Sequence, residues 1–249
     1  MKMILTVAGK ELRSMFASPM AWVILALLQV LLGLFFANGV DRYFQAMQGA
    51  MPPEQRIGFT AFVVPQAFGV AVLVLLTAVP LLTMRLIAEE RKSQTLVFLM
   101  SAPVSLLEIV LGKFVGVMVF MSVVVGLLLA MTLSMNVATD LDNAHVLTNA
   151  LGMWLMAAAF SALGIFMSSL TQQPIIAAIL SFIALLGLII INSFAADPDS
   201  PLNYFSLMGH FEPLSNGMLN TADIAYFILF AATFLVLTVR RLDADRLRG

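Results

Sequence analysis

The sequence predicts an all-α integral membrane protein with six transmembrane helices, an N-terminal amphipathic helix at the interface and a helical cytoplasmic loop. Of its 249 residues, 61% are hydrophobic and only 11% are charged, whereas a soluble domain carries about 25% charged residues. The mean hydropathy is +1.00. These values exclude an ordinary soluble protein and predict that residues 1–249 form a single transmembrane domain. The net charge of −1 gives no reason to expect nucleic-acid binding.

Long uncharged runs locate the predicted spans, since about 20 apolar residues cross the hydrocarbon core. The six runs are 20–38, 58–84, 114–135, 146–170, 175–195 and 223–239. Only Thr171–Pro174 separates the fourth run from the fifth, which predicts a tight helical hairpin with the proline in the first turn of the next helix. The first run is long for the apolar part of a signal peptide, so it is predicted to be a true span.

The distribution of basic residues predicts the orientation. Of the 13 Lys and Arg residues, all but Arg42 and Arg56 precede the first span, lie within 85–113 or follow the last span. An even number of spans puts these three segments on one side, and the positive-inside rule makes that side cytoplasmic. Both termini are therefore predicted to be cytoplasmic. The acidic residues placed on the outer side are Asp41, Glu54, Asp140, Asp142, Asp197, Asp199, Glu212 and Asp223.

Residues 3–17 predict a short amphipathic helix lying in the headgroup plane. The alternative is a frayed cytoplasmic terminus. The predicted apolar stripe is Ile4, Val7, Ala8, Leu12, Met15 and Phe16, and the predicted polar face is Lys10, Glu11, Arg13 and Ser14.

The loop 85–113 combines charge with a short apolar run. Residues 85–92 extend the second span into the cytoplasm, and Pro65 and Pro80 are expected to kink that long helix. The run 95–100 is apolar but too short to cross a membrane, and Pro103 ends it. Ser105 to Glu108 form a capping box that starts the next helix. An exposed apolar cluster needs a cover, and the residues alone leave two covers open: the bundle with its lipid, or a cytoplasmic partner.

The segment ERKSQTLVFLMSAPVSLLEIVLGK, residues 90–113, resembles the loop between the second and third helices of type-2 ABC exporter permeases. In that family the loop holds a coupling helix that sits in a groove of the ATPase subunit. Two positions depart from the family pattern: Gln94 replaces a glycine and Val97 replaces an acid, which leaves a polar contact from position 97 in doubt. The ATPase-coupling residues that the resemblance implies are Glu89, Glu90, Arg91, Lys92, Thr95, Leu96, Phe98, Leu99, Met100 and Pro103.

The tail resembles the gliding-motility-type branch of that family, with the copper-site-maturation branch as a near relative. The matching residues are Gly209, His210, Phe211, Gly217, Asp223, Tyr226 and Phe227. The resemblance implies that 196–222 forms short re-entrant elements at the outer mouth. The outer-gate residues it implies are Tyr204, Phe205, His210 and Phe211. It also favours a second, non-identical permease subunit with a large periplasmic domain, although a homodimer stays open.

Several expected motifs are missing from the chain. No G-x-x-x-x-G-K-[ST] sequence occurs, so ATP and Mg²⁺ are expected on a separate ATPase and no cofactor is expected here. Apart from Asp223, at the first position of the sixth span, no charged residue lies inside a predicted span, which argues against an ion-coupled carrier and an intramembrane hydrolase. His145 and His210 with Met208 leave copper(I) binding as an alternative, but no metal site is predicted.

The sequence therefore predicts a non-enzymatic permease subunit of an ATP-driven export complex in the bacterial inner membrane. Its predicted partners are ABC ATPase subunits, a second permease subunit and membrane lipids. The alternative is a membrane scaffold that anchors a cytoplasmic or periplasmic partner without transport. The cargo is left open.

Overall fold

The structure is a computed structural model that describes residues 2–48, 58–95, 104–191 and 201–248. These ranges contain helices and connecting turns and no β-strand. The α-helices are α1 (Lys2–Ala17), α2 (Pro19–Gln48), α3 (Phe59–Thr83), α4 (Arg85–Lys92), α5 (Leu106–Leu133), α6 (Asn143–Leu170), α7 (Pro174–Ile190), α8 (Leu207–Ser215) and α9 (Thr221–Arg248). Short 3-10 helices cover Ser134–Val137 and Pro201–Phe205.

The long helices run alternately between two ends of one bundle. At one end, Lys113 near the start of α5 reaches Glu11 in α1, and Arg91 in α4 reaches Asp245 near the end of α9. We call this the basic end. At the other end, the backbone N–H of Asp142 donates a hydrogen bond to Thr60 Oγ1 (3.0 Å). We call it the acidic end. The N-terminal segment, the loop 85–113 and the C-terminal segment, which the basic residues predict to lie on the same side of the membrane, thus meet at the basic end.

Within the described ranges, five helical segments are long and apolar enough to cross a membrane. They are Ala21–Gln48, Phe59–Lys92, Leu106–Val137, Asn143–Leu170 and Thr221–Arg246. The predicted fifth span, 175–195, corresponds to α7, a shorter apolar helix whose 17 residues reach about 25 Å at 1.5 Å per residue. Its predicted continuation from residue 192 lies outside the described residues. Lys113, predicted to precede the third span, lies within α5 because that helix begins at Leu106.

Helix α6 forms the centre of the bundle and packs against α3, α5, α7 and α9. Small residues on α6 permit these close contacts: Ala157, Ala158, Ser161 and Ala162 are all buried. By contrast, α2 and α9 leave many large apolar side chains exposed, among them Leu27, Leu34, Ile228 and Leu229. These two helices therefore lie at the periphery, where lipid or another chain covers them.

The side chain of Ser168 interrupts the second predicted span between the end of α3 and the start of α4. Ser168 Oγ on α6 donates to the carbonyl of Met84 (2.9 Å) and accepts from the backbone N–H groups of Ile87 (3.2 Å) and Ala88 (3.0 Å). A side chain inserted into the helical ladder in this way breaks its regular spacing. Both predicted kink residues, Pro65 and Pro80, lie inside α3, but the break itself comes at Met84.

The predicted N-terminal helix is present, but one residue of its predicted polar face points inward. Glu11 is 9% exposed and, with Ala8, packs against α5. The assignment of Glu11 to the face opposite the apolar stripe was therefore wrong, because Glu11 lies against α5 beside Ala8 and its carboxylate pairs with a buried lysine. The predicted capping box of α5 is confirmed: Ser105 Oγ accepts from the Glu108 N–H (3.2 Å), and Glu108 Oε2 accepts from the Ser105 N–H (3.2 Å).

Candidate functional site

The basic end contains a buried lysine held by two carboxylates. The residue Lys113 is 1% exposed, and its Nζ donates to Glu11 Oε1 (3.0 Å) and to Glu90 Oε1 (2.7 Å). Charge-assisted hydrogen bonds of this length are stronger than neutral ones. One ammonium group thereby joins α1, α4 and α5.

Two glycines allow α1 to lie directly on α5, which brings Glu11 within reach of Lys113. A Cβ on Gly112 would lie 2.6 Å from the Cβ of Val7, and a Cβ on Gly116 would lie 3.1 Å from that of Glu11. Any larger residue would push the two backbones apart. Small residues at this spacing are typical of close helix contacts, but the spacing alone does not identify α1 as the helix that packs against them.

Lys10 adds a weaker contribution at the rim of this cluster. Its Nζ lies 3.7 Å from Glu90 Oε1 and 3.8 Å from Glu11 Oε1, but its side chain is 66% exposed. Exposed pairs of this kind contribute about 0–1 kcal/mol. Lys113 is therefore the cation that holds the cluster together. We call Lys113, Glu11, Glu90 and Lys10 the lysine cluster.

Arg91, which follows Glu90 in α4, contacts a different helix. The guanidinium of Arg91 forms an ion pair with Asp245 in α9, and Arg241 lies 3.7 Å from the same carboxylate. The side chains of Arg91 and Asp245 are only 14% and 25% exposed. Consecutive residues of α4 thus join it to α1 and α5 on one side and to α9 on the other. Asp245, Glu11 and Lys113 were not predicted as site residues.

The end of α4 has the backbone conformation that glycine adopts most easily. Gln94 has φ +58°, in the left-handed region that disfavours residues with a Cβ. Helices often end with glycine in this conformation. The glycine that is usual at this position in permease loops therefore has a structural reason. Gln94 adopts the same left-handed conformation although it has a Cβ.

Of the other predicted coupling residues, Glu89 and Lys92 are exposed, and Glu89 pairs with Arg85 one helical turn away (3.9 Å). Thr95 Oγ1 donates to the carbonyl of Glu90 (3.3 Å). Leu96, Phe98, Leu99, Met100 and Pro103 lie outside the described residues. Their coupling role stays a prediction.

A family model supplies the remaining evidence for identity. The model for ABC-2 family transporter proteins matches residues 5–245. This chain belongs to the ABC-2 transporter family. A search of curated proteins found no significant match. The family match and the apolar helices establish a multi-pass membrane protein that is the membrane component of an ABC transporter. Membership of the family also implies that an ABC ATPase subunit is its partner.

At the acidic end of the ABC-2 protein, the residues of the predicted tail motif lie together. The Nδ1 atom of His210 lies 2.6 Å from Asp223 Oδ1, and the imidazole stacks on Tyr226 with ring centroids 3.9 Å apart. Tyr226 donates a hydrogen bond to the carbonyl of Phe205 (2.9 Å). These contacts hold α8 and the 3-10 helix before it against the start of α9.

The four predicted outer-gate residues occupy different environments. Tyr204 and Phe205 are 71% and 62% exposed, whereas Phe211 is fully buried against α6 near Gly152. His210 is half-buried in the contacts with Asp223 and Tyr226. Only Tyr204 and Phe205 therefore present large surfaces to the exterior, and the gate role of all four stays a prediction.

The two histidines lie in separate contacts. Whereas His210 pairs with Asp223, His145 Nε2 lies 2.8 Å from the carbonyl of Ser215. Within the described ranges, no group of three or more His, Cys, Asp or Glu residues is placed to hold a metal ion. Each imidazole instead fixes α8 to a neighbouring helix.

Proposed function

We propose that this ABC-2 protein is the permease subunit of an ATP-driven exporter in the bacterial inner membrane. In this proposal both termini and the basic end face the cytoplasm, and six spans cross the membrane, with α7 completed by residues that follow it. A separate ATPase carries ATP and Mg²⁺ and docks on residues 94–102. The working unit contains two permease chains, with a second, non-identical permease that has a large periplasmic domain favoured over a homodimer.

The observation that carries this proposal is the position of Glu90 in the lysine cluster. Glu90 lies in α4, the helix that leads directly into the proposed docking loop, and Lys113 lies in α5, the helix that leaves it. A push on the loop would therefore act on both helices together. Arg91 extends the connection to α9 through Asp245. Ion pairs of low exposure at these points make the basic end a stiff unit that transmits motion to the membrane helices.

The ATPase contact is expected to depend on the apolar side chains of the loop. Substituting Leu96→Asp together with Phe98→Asp places two carboxylates in a contact proposed to exclude water, and unpaired buried charges are strongly unfavourable. We expect the variant to reach the membrane in normal amounts but to lose co-purification of the ATPase and export activity together. The matched control is Val97→Glu, which introduces a charge at a position where related loops carry an acid, and it is expected to retain both.

The same variant distinguishes an exporter from a membrane scaffold, and reconstitution in vesicles distinguishes it from a secondary carrier. A scaffold would lose its partner in the Leu96→Asp, Phe98→Asp variant while export by the cell stays normal. A secondary carrier would transport after reconstitution of this chain in vesicles without any ATPase.

A further inference from the structure

A cavity opens between α2 and α3 in the half of the bundle nearer the acidic end. Its volume is about 440 Å³. Three polar residues line its upper part: Asn38 and Arg42 on α2, and Gln66 on α3. Its remaining lining is apolar and consists of Leu31, Leu34, Phe35 and Val70. The cavity thus has a polar part and an apolar part.

The polar residues of this cavity have no partner in the part of the chain that the structure describes. In the described ranges, Asn38, Arg42 and Gln66 make no hydrogen bond or ion pair with another residue, and all three are exposed. Their hydrogen-bonding groups lie on two adjacent helices around one cavity. They are therefore available to a polar ligand that enters it.

The charge of the cavity favours an anion. Among the described residues that line it, Arg42 is the one that carries a charge. The guanidinium presents several donors in a plane that matches phosphate oxygens. The amides of Asn38 and Gln66 add further donors beside it.

The depth of the residues fits an amphiphile. Trp22, which is 57% exposed in the first turn of α2, is typical of a membrane interface. From Pro19, Asn38 and Arg42 lie roughly 28 and 35 Å along the helix, and the hydrocarbon core is about 30 Å thick. The polar part of the cavity thus reaches the opposite headgroup layer, while Leu31 and Phe35 lie within the acyl-chain layer.

We propose that this cavity binds one anionic glycerophospholipid of the membrane. The phosphate lies against Arg42 and the two amides, and one acyl chain lies along Leu31, Phe35 and Val70. A zwitterionic headgroup binds less well because its cationic part lies close to the guanidinium. The site is separate from the ATPase contact, since it lies at the other end of the bundle.

Native mass spectrometry of the purified chain in detergent tests this site. The probes are phosphatidylglycerol and phosphatidylcholine with identical acyl chains. We expect one phosphatidylglycerol to be retained with about fivefold higher affinity, since one Arg near the membrane surface contributes about 1 kcal/mol to the binding of anionic lipid. Arg42→Gln should abolish this preference, Arg42→Lys should keep most of it, and Arg13→Gln at the basic end should leave it unchanged.

Equal retention of the two lipids, or a preference that survives Arg42→Gln, would show ordinary annular lipid and overturn the proposal. Displacement of the lipid when a second chain associates would also overturn it, because the cavity would then belong to a subunit interface. Arg42 is exposed and unpaired, so its substitution leaves folding intact. The assay contains no ATPase, and a negative result therefore leaves the exporter proposal standing.

Discussion

Replacing Lys113 by methionine is expected to destabilise the ABC-2 protein by about 3–5 kcal/mol, the cost of removing one partner from a buried ion pair. Methionine fills a similar volume, but Glu11 and Glu90 then keep only the exposed Lys10 as a cation beside them. Both carboxylates have low exposure, with side chains 11% and 18% accessible. The effect can be measured by thermal unfolding in detergent, with the loss of the monodisperse species as the signal. We expect a large fall in the midpoint temperature.

Two further variants determine whether charge causes this effect. Lys10→Met removes a cation from the same cluster, but its side chain is largely exposed, so a change of about 0–1 kcal/mol is expected. Combining Lys113→Met with Glu11→Leu and Glu90→Leu should restore most of the stability, since apolar replacement of a whole buried ion cluster is often neutral. A single Lys113→Met variant as stable as the parent would show that the cluster contributes nothing.

Replacing Gly112 by leucine is expected to detach α1 from α5. Since a Cβ at this position already lies 2.6 Å from that of Val7 and 3.1 Å from the carbonyl oxygen of Ile4, the rest of a leucine side chain has no space. Overpacking of this kind costs about 1–3 kcal/mol, and here the strain is released by moving the terminal helix. Glu11 would withdraw from Lys113 at the same time.

The chain has no cysteine, so a single introduced thiol reports this detachment. Ala8 is 7% exposed against α5, and Ala8→Cys should react slowly with a maleimide in detergent. Adding Gly112→Leu should raise the rate on the order of tenfold. Adding Gly126→Leu should leave it unchanged, because nothing lies within 4 Å of a Cβ on Gly126. Equal rates in the two leucine variants would contradict the proposed contact.

Local patterns were sufficient to predict much of the fold. The capping box at Ser105 needs only neighbouring residues, and it was confirmed. The hairpin between the fourth and fifth runs was also confirmed, with Pro174 at the start of α7. The inward position of Glu11 was not predicted, because its partner Lys113 is 102 positions away. No periodicity within 3–17 identifies such a partner.

The same limit applies to the candidate site. The resemblance of the loop marked Glu90 and Arg91 as functional, but only the tertiary structure shows that they bind different helices. Asp245 gave no signal, because a carboxylate among arginines near the terminus is typical of a solvated helix. A lysine in the second turn of a helix whose other charged residue is the capping Glu108 was the available signal for the lysine cluster.

The most direct test of the account is the accessibility of the docking loop in membranes. Leu99→Cys introduces one thiol into the proposed ATPase contact, and a membrane-impermeant maleimide is applied to inside-out and to right-side-out vesicles. Phe205→Cys, at an exposed residue of the acidic end, is the control for the opposite side. We expect Leu99→Cys to be labelled only in inside-out vesicles and to be protected when the ATPase is bound. Labelling in right-side-out vesicles, or labelling that the ATPase does not change, would contradict the account.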